Sequence, residues 1–498
     1  MSTGTDVKNT ELNMSMDDNL SMTKKQPSKK GLCSTRHGLA FILQLCNFSI
    51  STQQMSLSIA ITAMVNHTAT SSQSNASIER PPTDYYQDYW NETLKEFTAV
   101  APTYDWSPEI QGIILSSLSY GSLLAPIPTG YVAGVFGAKY VVGAGLLISS
   151  VLTLFLPLGA DAGVAPFIVL RVIQGIAQVM VSTGQFSIWV KWAPPMERSQ
   201  LTTIAISGVS LGTFVVLIAG GFLCQAIGWP YVFYIFGGIG CACCLLWFSL
   251  VYNEPRNHPF ISSSEKSYIL HAVAQQDSLP DWSLPIKDMV KSLPLWAIVV
   301  SYFCLFWQFS TMMAYTPTYF TYVFQANVRD SGIFSALPPL TSYVCVILGG
   351  LLADFLSSRK ILRLITVRKL FTAIGVLSSA VVLLILPWTK SSFSTTLALF
   401  VLCSSFSSLC NSGALISFVD IAPRYAGFLR GLLQNFSYIS GAISPTAAGF
   451  FINQDSERGW RNVFLVTIAV NVSGLIFFLI FGQAEVQHWA KEQRITHF

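Results

Sequence analysis

One arginine stands inside an apolar stretch, with two glutamines at helical spacing behind it. The stretch runs from Ala165 to Trp189 and contains Arg171, Gln174 and Gln178. A charged side chain in hydrocarbon costs about 2.5–3.5 kcal/mol on insertion scales, so it usually faces a polar interior and marks a pathway. A guanidinium group can hold a carboxylate or phosphate through two parallel hydrogen bonds. Because the three residues share one helix face, they predict an anion-binding site.

The alternative is that Arg171 is structural, since long basic side chains also snorkel to the membrane surface or pin neighbouring helices. Further candidates for the substrate site lie on other apolar stretches. Any one Trp or Tyr among them is more often a packing or interface residue than a ligand. These additional candidates are Gln54, Tyr120, Trp307, Tyr315 and Asn411.

The composition indicates a polytopic membrane protein. Of 498 residues, 52% are hydrophobic and only 11% are charged, which excludes the class of large soluble enzymes. The net charge of +4 is scattered over short loops, so no nucleic-acid partner is expected. Twelve segments reach the roughly 20 residues needed to span a bilayer, which predicts an all-α protein of twelve transmembrane helices. The segments are 39–65, 110–136, 140–159, 165–189, 201–226, 230–251, 295–320, 333–353, 370–388, 395–418, 427–452 and 462–482.

The distribution of basic residues predicts the orientation. With a cytosolic amino terminus, most of the 29 Lys and Arg residues fall on the cytosolic side, as the positive-inside rule requires. The first external loop then carries three glycosylation sequons, at Asn66, Asn75 and Asn91. The predicted division is a cytosolic tail (1–37), an N-terminal six-helix bundle (38–252) with a glycosylated external loop (66–107), a cytosolic central loop (253–294), a C-terminal six-helix bundle (295–482) and a cytosolic tail (483–498).

An internal repeat relates the two predicted bundles. Three short patterns recur in order and at nearly constant offset, which predicts two pseudo-symmetric halves. The first pattern follows spans 2 and 8. The acid of this pattern is Asp354 in the second half, and Gly134 takes its position in the first half. We expect conformational gating by Gly130, Gly134, Gly350, Asp354 and Arg359. The other patterns are Ala193-Pro194 with Ala422-Pro423, and Gly228-Trp229 with Gly459-Trp460.

These features resemble the major facilitator superfamily. Within this superfamily, four stretches are similar to the sodium–phosphate and organic anion transporter family, which is related to sialin and the vesicular glutamate transporters. The similarity is strongest to the epithelial type I phosphate transporters, particularly those of intestine. The resemblance implies twelve helices in two pseudo-symmetric halves and transport by alternating access. The stretches are Leu170-Arg-Val-Ile-Gln-Gly175, Trp192-Ala-Pro-Pro-Met-Glu-Arg-Ser199, Asp420-Ile-Ala-Pro-Arg-Tyr425 and Gly459-Trp-Arg-Asn-Val-Phe464.

The departures from that family bear on coupling. The resemblance implies membrane-embedded charged residues in spans 1, 2, 4 and 7 of the vesicular glutamate relatives, where this chain has Gln54, Leu115, Gln178 and Leu305. All six histidines and essentially all carboxylates fall outside the predicted spans. Proton coupling usually needs a buried titratable group. The sequence therefore predicts transport without obligatory proton coupling, with Arg171 as the embedded charge.

The expected activity is secondary transport of organic anions, urate-like and aromatic carboxylate anions, driven by membrane potential and with chloride as a candidate activator. The alternative is sodium-coupled cotransport of inorganic phosphate, and an anion channel ranks below both. We expect no enzyme activity, no catalytic residues, no metal site and no cofactor, with Na⁺ or Cl⁻ left open as coupling ions. Small anions and membrane lipids are the expected partners of a monomer in the plasma membrane, at the apical face of epithelial cells.

Overall fold

A computed structural model describes residues 34–65, 104–126, 128–129, 132, 136–194, 197–277, 285–324, 326–388, 392–454 and 456–490. Within these residues the chain is nearly all helical. Twelve helices of 16 residues or more form the body of the protein. They are α1 Thr35–Met64, α2 Pro108–Leu124, α3 Ala138–Ala162, α4 Val164–Trp192, α5 Arg198–Ala226, α6 Trp229–Leu250, α7 Leu293–Phe324, α8 Val328–Ser358, α9 Leu364–Ile385, α10 Phe393–Ser408, α11 Ala426–Gln454 and α12 Ser456–Phe481.

Each helix overlaps one predicted span. Among the described residues, nine of the helices are long and apolar enough to cross a membrane. The remaining three are α1, α2 and α11. The described part of α2 is short, at 17 residues, while α1 and α11 are rich in Ser, Thr, Gln and Gly. Many of their polar residues are buried against other helices, among them Gln53 of α1, Ser116 of α2 and Ser440 of α11.

The tenth predicted span is wrong in its second half. Instead of continuing to residue 418, α10 ends at Ser408, and a 3₁₀ turn Leu409–Asn411 follows. Ser, Asn and Gly in this segment compete with the helix by favouring turns. The break is stabilised from α9, where the Thr372 hydroxyl accepts a hydrogen bond from the Ala414 N–H at 2.8 Å. This contact between helices could not be read from the local sequence.

The second predicted span is interrupted: α2 ends at Leu124, and the described residues between 126 and 136 are again helical, with the Thr129 N–H donating to the Ala125 carbonyl at 3.0 Å. Proline at position 126 lacks an N–H and restricts the residue before it, which disfavours an uninterrupted helix.

Two hydrophobic clusters, one near each end, hold each half of the protein. We call the end where α1 begins and α12 finishes the tail end, and the end flanked by Val65 and Tyr104 the loop end. In the N-terminal half (α1–α6), Trp192 and Trp247 belong to the tail-end cluster. The loop-end cluster of that half contains Phe167. The C-terminal half (α7–α12) also has a cluster near each end, and it has two smaller clusters in addition.

Ion pairs at the tail end stand beside the repeated Ala-Pro turns. In the N-terminal half, Arg36 pairs with Glu197 and, at 3.0 Å, with Glu265. Glu265 belongs to the linker helix Ser263–Asp277 between the halves. In the C-terminal half, Arg368 pairs with Asp420 at 2.8 Å. Each half therefore uses one buried arginine to fix the connection between its fourth and fifth helices.

Glycines bring the two halves together at the loop end. A Cβ added at Gly112 of α2 would lie 2.6 Å from the carbonyl oxygen of Pro445 in α11, and one at Gly449 would lie 2.4 Å from that of Pro108. These two helices therefore approach with their backbones almost in contact.

The second crossing joins α5 and α8. A Cβ at Gly332 would lie 2.3 Å from the Leu217 carbonyl oxygen, and one at Gly221 would lie 3.1 Å from that of Arg329. Gly112 and Gly332 are separated by the same number of residues as Gly130 and Gly350, so the two crossings are equivalent under the internal repeat. The loop end of this conformation is closed.

Candidate functional site

Arg171 lies inside the N-terminal half, with only 2% of its surface exposed. It is about 10 Å along α4 from the loop end, at 1.5 Å per residue. Its Nη1 donates a hydrogen bond to Gln174 Oε1 at 3.0 Å and a longer one, at 3.5 Å, to the backbone carbonyl of Gln53 in α1. The guanidinium therefore bridges α1 and α4.

The two glutamines of α4 extend this contact to α3. Gln174 Nε2 donates to the Thr153 hydroxyl at 2.8 Å, and Gln178 Nε2 donates to the Ser149 hydroxyl at 3.4 Å. Ser149 in turn donates to Gln53 Oε1 at 2.6 Å. All of these side chains are buried. We call this set, Gln53, Ser149, Thr153, Arg171, Gln174 and Gln178, the α4 network.

The charge of Arg171 is not balanced by an acid. Within the described part of the chain no carboxylate forms an ion pair with it, and its Nε has no hydrogen-bond partner. A buried charge without a counter-charge is costly, and an unpaired buried donor adds about 1–3 kcal/mol. Both deficits would be offset by an anion with acceptor oxygens, so the arrangement is chemically suited to hold one.

Two of the predicted aromatic residues lie together at the contact between the halves. The Tyr120 hydroxyl is 2.8 Å from the Thr446 hydroxyl of α11, and the Tyr315 hydroxyl donates to the carbonyl oxygen of Pro445 at 3.0 Å. Thr446 also donates to Ser116 of α2 at 2.9 Å. These tyrosines therefore contact adjacent residues of α11 and tie it to α2 and α7.

The other three predicted residues do not join either group. Gln54 is exposed, and its neighbour Gln53 carries the buried contacts, because successive helix residues point about 100° apart. Trp307 is half-buried beside Phe303. Asn411 is exposed on the 3₁₀ turn after α10, where its amide donates to the Ser408 carbonyl. The candidates therefore fall into three groups. Arg171, Gln174 and Gln178 belong to the α4 network, two tyrosines lie at the interface of the halves, and the other three residues join neither group.

The chain was compared with known families and proteins. The model of the Major Facilitator Superfamily matches residues 43–368 and 365–496, which together cover most of the sequence. The chain belongs to the major facilitator superfamily. Proteins of this superfamily are transporters, and twelve transmembrane helices in two pseudo-symmetric halves are the fold it implies.

Relatives place the chain within the superfamily's sodium–phosphate and organic anion branch. A human protein described as "Probable small intestine urate exporter" is 72% identical over 497 residues and covers 100% of both chains. Its mouse counterpart is 71% identical over the same length. The human "Sodium-dependent phosphate transport protein 1" is 43% identical over 479 residues, covering 96% of this chain and 100% of its own.

Solved structures agree on the fold. A bacterial homologue of the human lysosomal transporter Spinster, in an inward-facing and occupied conformation, gives a TM-score of 0.65 at 14% identity, covering 89% of this chain and 96% of its own. The D-xylose–proton symporter also gives 0.65, at 16% identity, with 91% and 99% covered.

The predicted gating residues are only partly described. Gly130 and Gly134 lie outside the described residues. Gly350 is half-buried on α8, and Asp354 is exposed four residues later. The Arg359 guanidinium lies 5.8 Å from the Phe355 ring. Asp354 forms no ion pair with any described residue in this conformation. The gating role therefore stays a prediction.

The three sequons at Asn66, Asn75 and Asn91 also lie outside the described residues, so glycosylation remains a prediction.

Sequence reasoning missed the α3 contribution to the α4 network. Ser149 and Thr153 are four residues apart, and with Ser150 they form a polar stripe on an otherwise apolar helix. Such a stripe signals a helix–helix contact, but hydroxyl residues are common in membrane helices and do not identify their partner. The sequence predicts Gln54 instead of Gln53 because the rotation of the helix, which decides between neighbouring positions, cannot be read from the sequence.

Proposed function

We propose that this protein is a secondary carrier that moves organic anions, urate-like and aromatic carboxylate anions, by alternating access, with Arg171 as the anion anchor. One observation carries the proposal: a fully buried guanidinium that no described carboxylate neutralises. An anion entering the carrier would supply the missing charge and accept the hydrogen bond that Nε lacks.

The relatives support the choice of substrate class. Urate is the anion named in the descriptions of the human and mouse proteins that share 72% and 71% of their residues with this chain. A planar anion matches the flat fork of guanidinium donors better than it matches a point charge such as an ammonium group. Tyr120 and Tyr315, at the interface of the halves, could stack or hydrogen-bond with such a ring.

The closed loop end explains how the site could be buried and still functional. The glycine crossings seal this end, and the α4 network lies behind it. In alternating access the two halves rock about a central site. Exposure of Arg171 to the anion would belong to a different conformation from the one described.

Membrane potential would drive the transport. A unit charge gains about 2.3 kcal/mol per 100 mV, so a cell interior that is negative expels a monovalent anion. Efflux would be the natural direction. The proposed setting is the apical plasma membrane of epithelial cells, with both termini cytosolic, glycans on the external loop and a monomeric protein; Cl⁻ is a candidate activating ion.

Sodium-coupled phosphate uptake is the second candidate function. It is favoured by relatives such as the human "Sodium-dependent phosphate transport protein 3", which is 52% identical over 435 residues and covers 87% of this chain and 99% of its own. Phosphate would also pair with Arg171.

Reconstituted liposomes separate the two functions. Labelled urate, an aryl carboxylate and phosphate are each offered under an imposed voltage, with and without a Na⁺ gradient and with and without chloride. Voltage-driven flux of the organic anions in sodium-free buffer supports the proposal. Strict dependence on Na⁺, with phosphate as the preferred substrate, would establish the second function instead.

Substitution of Arg171 tests its role in the same assay. Arg171→Ala should lower urate flux at least about tenfold, because a charge-assisted contact of about 1.5–3 kcal/mol is lost. Arg171→Lys keeps the charge but loses the planar fork of donors, so its urate flux should lie between that of wild type and that of Arg171→Ala. Arg256→Ala, at an exposed position of the linker, is the matched control and should be neutral. If folded Arg171→Ala kept normal flux and apparent affinity, the arginine would be structural.

A further inference from the structure

A cavity of about 420 Å³ lies at the tail end of the C-terminal half, far along the helices from the glycine crossings. It is formed where α7 begins and α12 ends, with the short helix Ile286–Lys291 and the segment after α12 as its other walls. Its walls are both charged and apolar. The lining includes Asp288, Lys291, Ser292, Leu293, Ile480 and Trp489.

Two polar groups in the cavity wall lack partners. Ser292 is 7% exposed, and its hydroxyl makes no hydrogen bond with any described residue. The indole N–H of Trp489 is likewise buried and unpaired within the described chain. Unpaired buried donors cost about 1–3 kcal/mol each. Because neither atom is exposed to the cavity in this conformation, a ligand with acceptor atoms would complete their hydrogen bonding only after a small movement of the wall.

Basic side chains make the cavity attractive to an anion. Lys291 lines it and forms no ion pair with any described residue. Lys369 is close by, because its Nζ donates to the Leu479 carbonyl, next to the lining residue Ile480, at 2.8 Å. Asp288 also lines the cavity and reduces its positive charge. An anionic group would therefore bind beside Lys291, against the repulsion of Asp288.

The rim of the cavity is apolar and continues onto the outer surface of the protein. Leu293 is 53% exposed and Ile480 is 64% exposed, and both line the cavity. Ile476, one turn before Ile480 on α12, is 53% exposed. On transmembrane helices such residues contact lipid chains. An anion that also carried acyl chains would thus be matched at both its charged and its apolar parts.

We propose that this cavity binds the phosphate headgroup of an anionic phospholipid of the cytosolic leaflet, with the acyl chains lying along Leu293, Ile480 and Ile476. The proposal rests on the orientation given under Proposed function, in which the tail end is cytosolic. That leaflet is the one rich in anionic lipids, and basic pockets between membrane helices at this depth suit their headgroups. The site is separate from the α4 network and requires nothing of the transported anion.

Binding to the purified full-length protein tests the proposal by native mass spectrometry, with dioctanoyl phosphatidylserine as the probe. Dioctanoyl phosphatidylcholine and inorganic phosphate are the comparison ligands. Phosphatidylserine should bind at least about fivefold more tightly than phosphatidylcholine, since one lysine near the membrane surface contributes about that factor. Equal binding of the two lipids would overturn the proposal. Competition by inorganic phosphate at the same concentration as the lipid would identify a free anion as the ligand and would also overturn it.

Charge variants localise the binding. Lys291→Gln should weaken phosphatidylserine binding about fivefold, and Asp288→Asn should strengthen it by a similar factor, a gain that misfolding cannot produce. Lys287→Gln, on the same short helix but outside the lining, is the matched control. If Lys287→Gln and Lys291→Gln behaved alike, or Asp288→Asn bound no more tightly, the cavity would not be the site. Because this assay measures lipid binding and uses no urate, its outcome does not depend on the transport proposal.

Discussion

At the scale of single residues, the coupling of the carrier depends on what surrounds Arg171. Gln174 and Gln178 are neutral, and they hold α3 through hydroxyl groups. In a low-dielectric interior an amide can orient a guanidinium but cannot take up or release a proton at physiological pH. The α4 network is therefore suited to binding an anion and lacks a group that would carry a proton with it.

An acid placed in the α4 network should create pH dependence. With Gln178→Glu, an ionised carboxylate would compete with the transported anion for Arg171, whereas its protonated form would not. Urate flux of the variant at clamped voltage should therefore fall as pH rises through the pKa of the new carboxylate, while wild-type flux changes less over the same range.

Gln185→Glu provides the control for that substitution. Gln185 is buried on the same helix, about 21 Å along α4 from Arg171 at 1.5 Å per residue, and its amide bonds to Asn47 instead. A similar pH profile in both variants, or a steep profile in the wild type, would contradict the role assigned to the α4 network.

At the scale of helices, two kinds of contact govern the opposite ends of the protein. Glycine crossings close the loop end through backbone atoms, which cannot move aside as a flexible side chain can. Ion pairs at the tail end hold the linker helix and the Ala-Pro turns. Movement between the halves must separate the glycine crossings. The ion pairs at the tail end keep each half rigid.

Gly112→Ala and Gly332→Ala should each hinder closure of the loop end. The new methyl groups would lie 2.6 Å and 2.3 Å from carbonyl oxygens of the facing helices, and such overpacking costs about 1–3 kcal/mol. We expect about a tenfold loss of turnover. The distance between spin labels at the loop ends of α3 and α12 should be longer in these variants than in the wild type. Gly238→Ala, where an added Cβ meets nothing within 4 Å, is the control, and an equal loss in it would refute the gate.

Glu265 should stabilise the protein at neutral pH. Its carboxylate accepts hydrogen bonds from the backbone N–H groups of Thr35 and Arg36 and from Arg36 Nε. Burial alone raises the pKa of Glu265, but these bonds outweigh it and hold the pKa below its ordinary value. Since the folded-state pKa is lowered, the stabilisation is present above the unfolded pKa of about 4.3 and is lost as pH falls through the folded value.

Thermal unfolding in detergent measures this contribution. Glu265→Gln should reduce the free energy of unfolding by about 1–3 kcal/mol at pH 7, and the difference from wild type should shrink as pH drops below about 4. Glu254→Gln serves as the control, because its pair with Lys191 is half exposed and such pairs contribute little. A difference that persisted unchanged at low pH would show that the Glu265 charge is not responsible.

At the scale of the whole molecule, transport should follow membrane potential. An uncoupled monovalent anion should accumulate about tenfold for each 60 mV, from about 2.3 kcal/mol per 100 mV. The accumulation ratio of labelled urate in liposomes, set against a series of potassium diffusion potentials, measures this slope. A ratio that ignored voltage but followed a Na⁺ gradient would indicate electroneutral cotransport.

Much of the architecture was determined by the sequence alone. Twelve apolar segments, the repeated Ala-Pro and Gly-Trp turns, and one arginine in span 4 were sufficient for the class, the duplication and the superfamily. Burial in a membrane requires each helix to satisfy its own backbone, so span number follows from local composition. Gln174 bonds to Arg171, as their shared helix face predicts, while the role of Arg171, Gln174 and Gln178 in substrate binding stays a prediction.

Contacts between helices were decided only by the tertiary structure. The rotation of α1 places Gln53, not Gln54, in the α4 network. Thr372 of α9 stabilises the break after α10, which the apolar pattern does not indicate. Four glycines that are far apart in the sequence form the two equivalent crossings. The cavity at the tail end likewise combines α7, α12 and the segment that follows. Such features depend on side chains that are far apart in sequence, and hydrophobic periodicity carries no information about which of them meet.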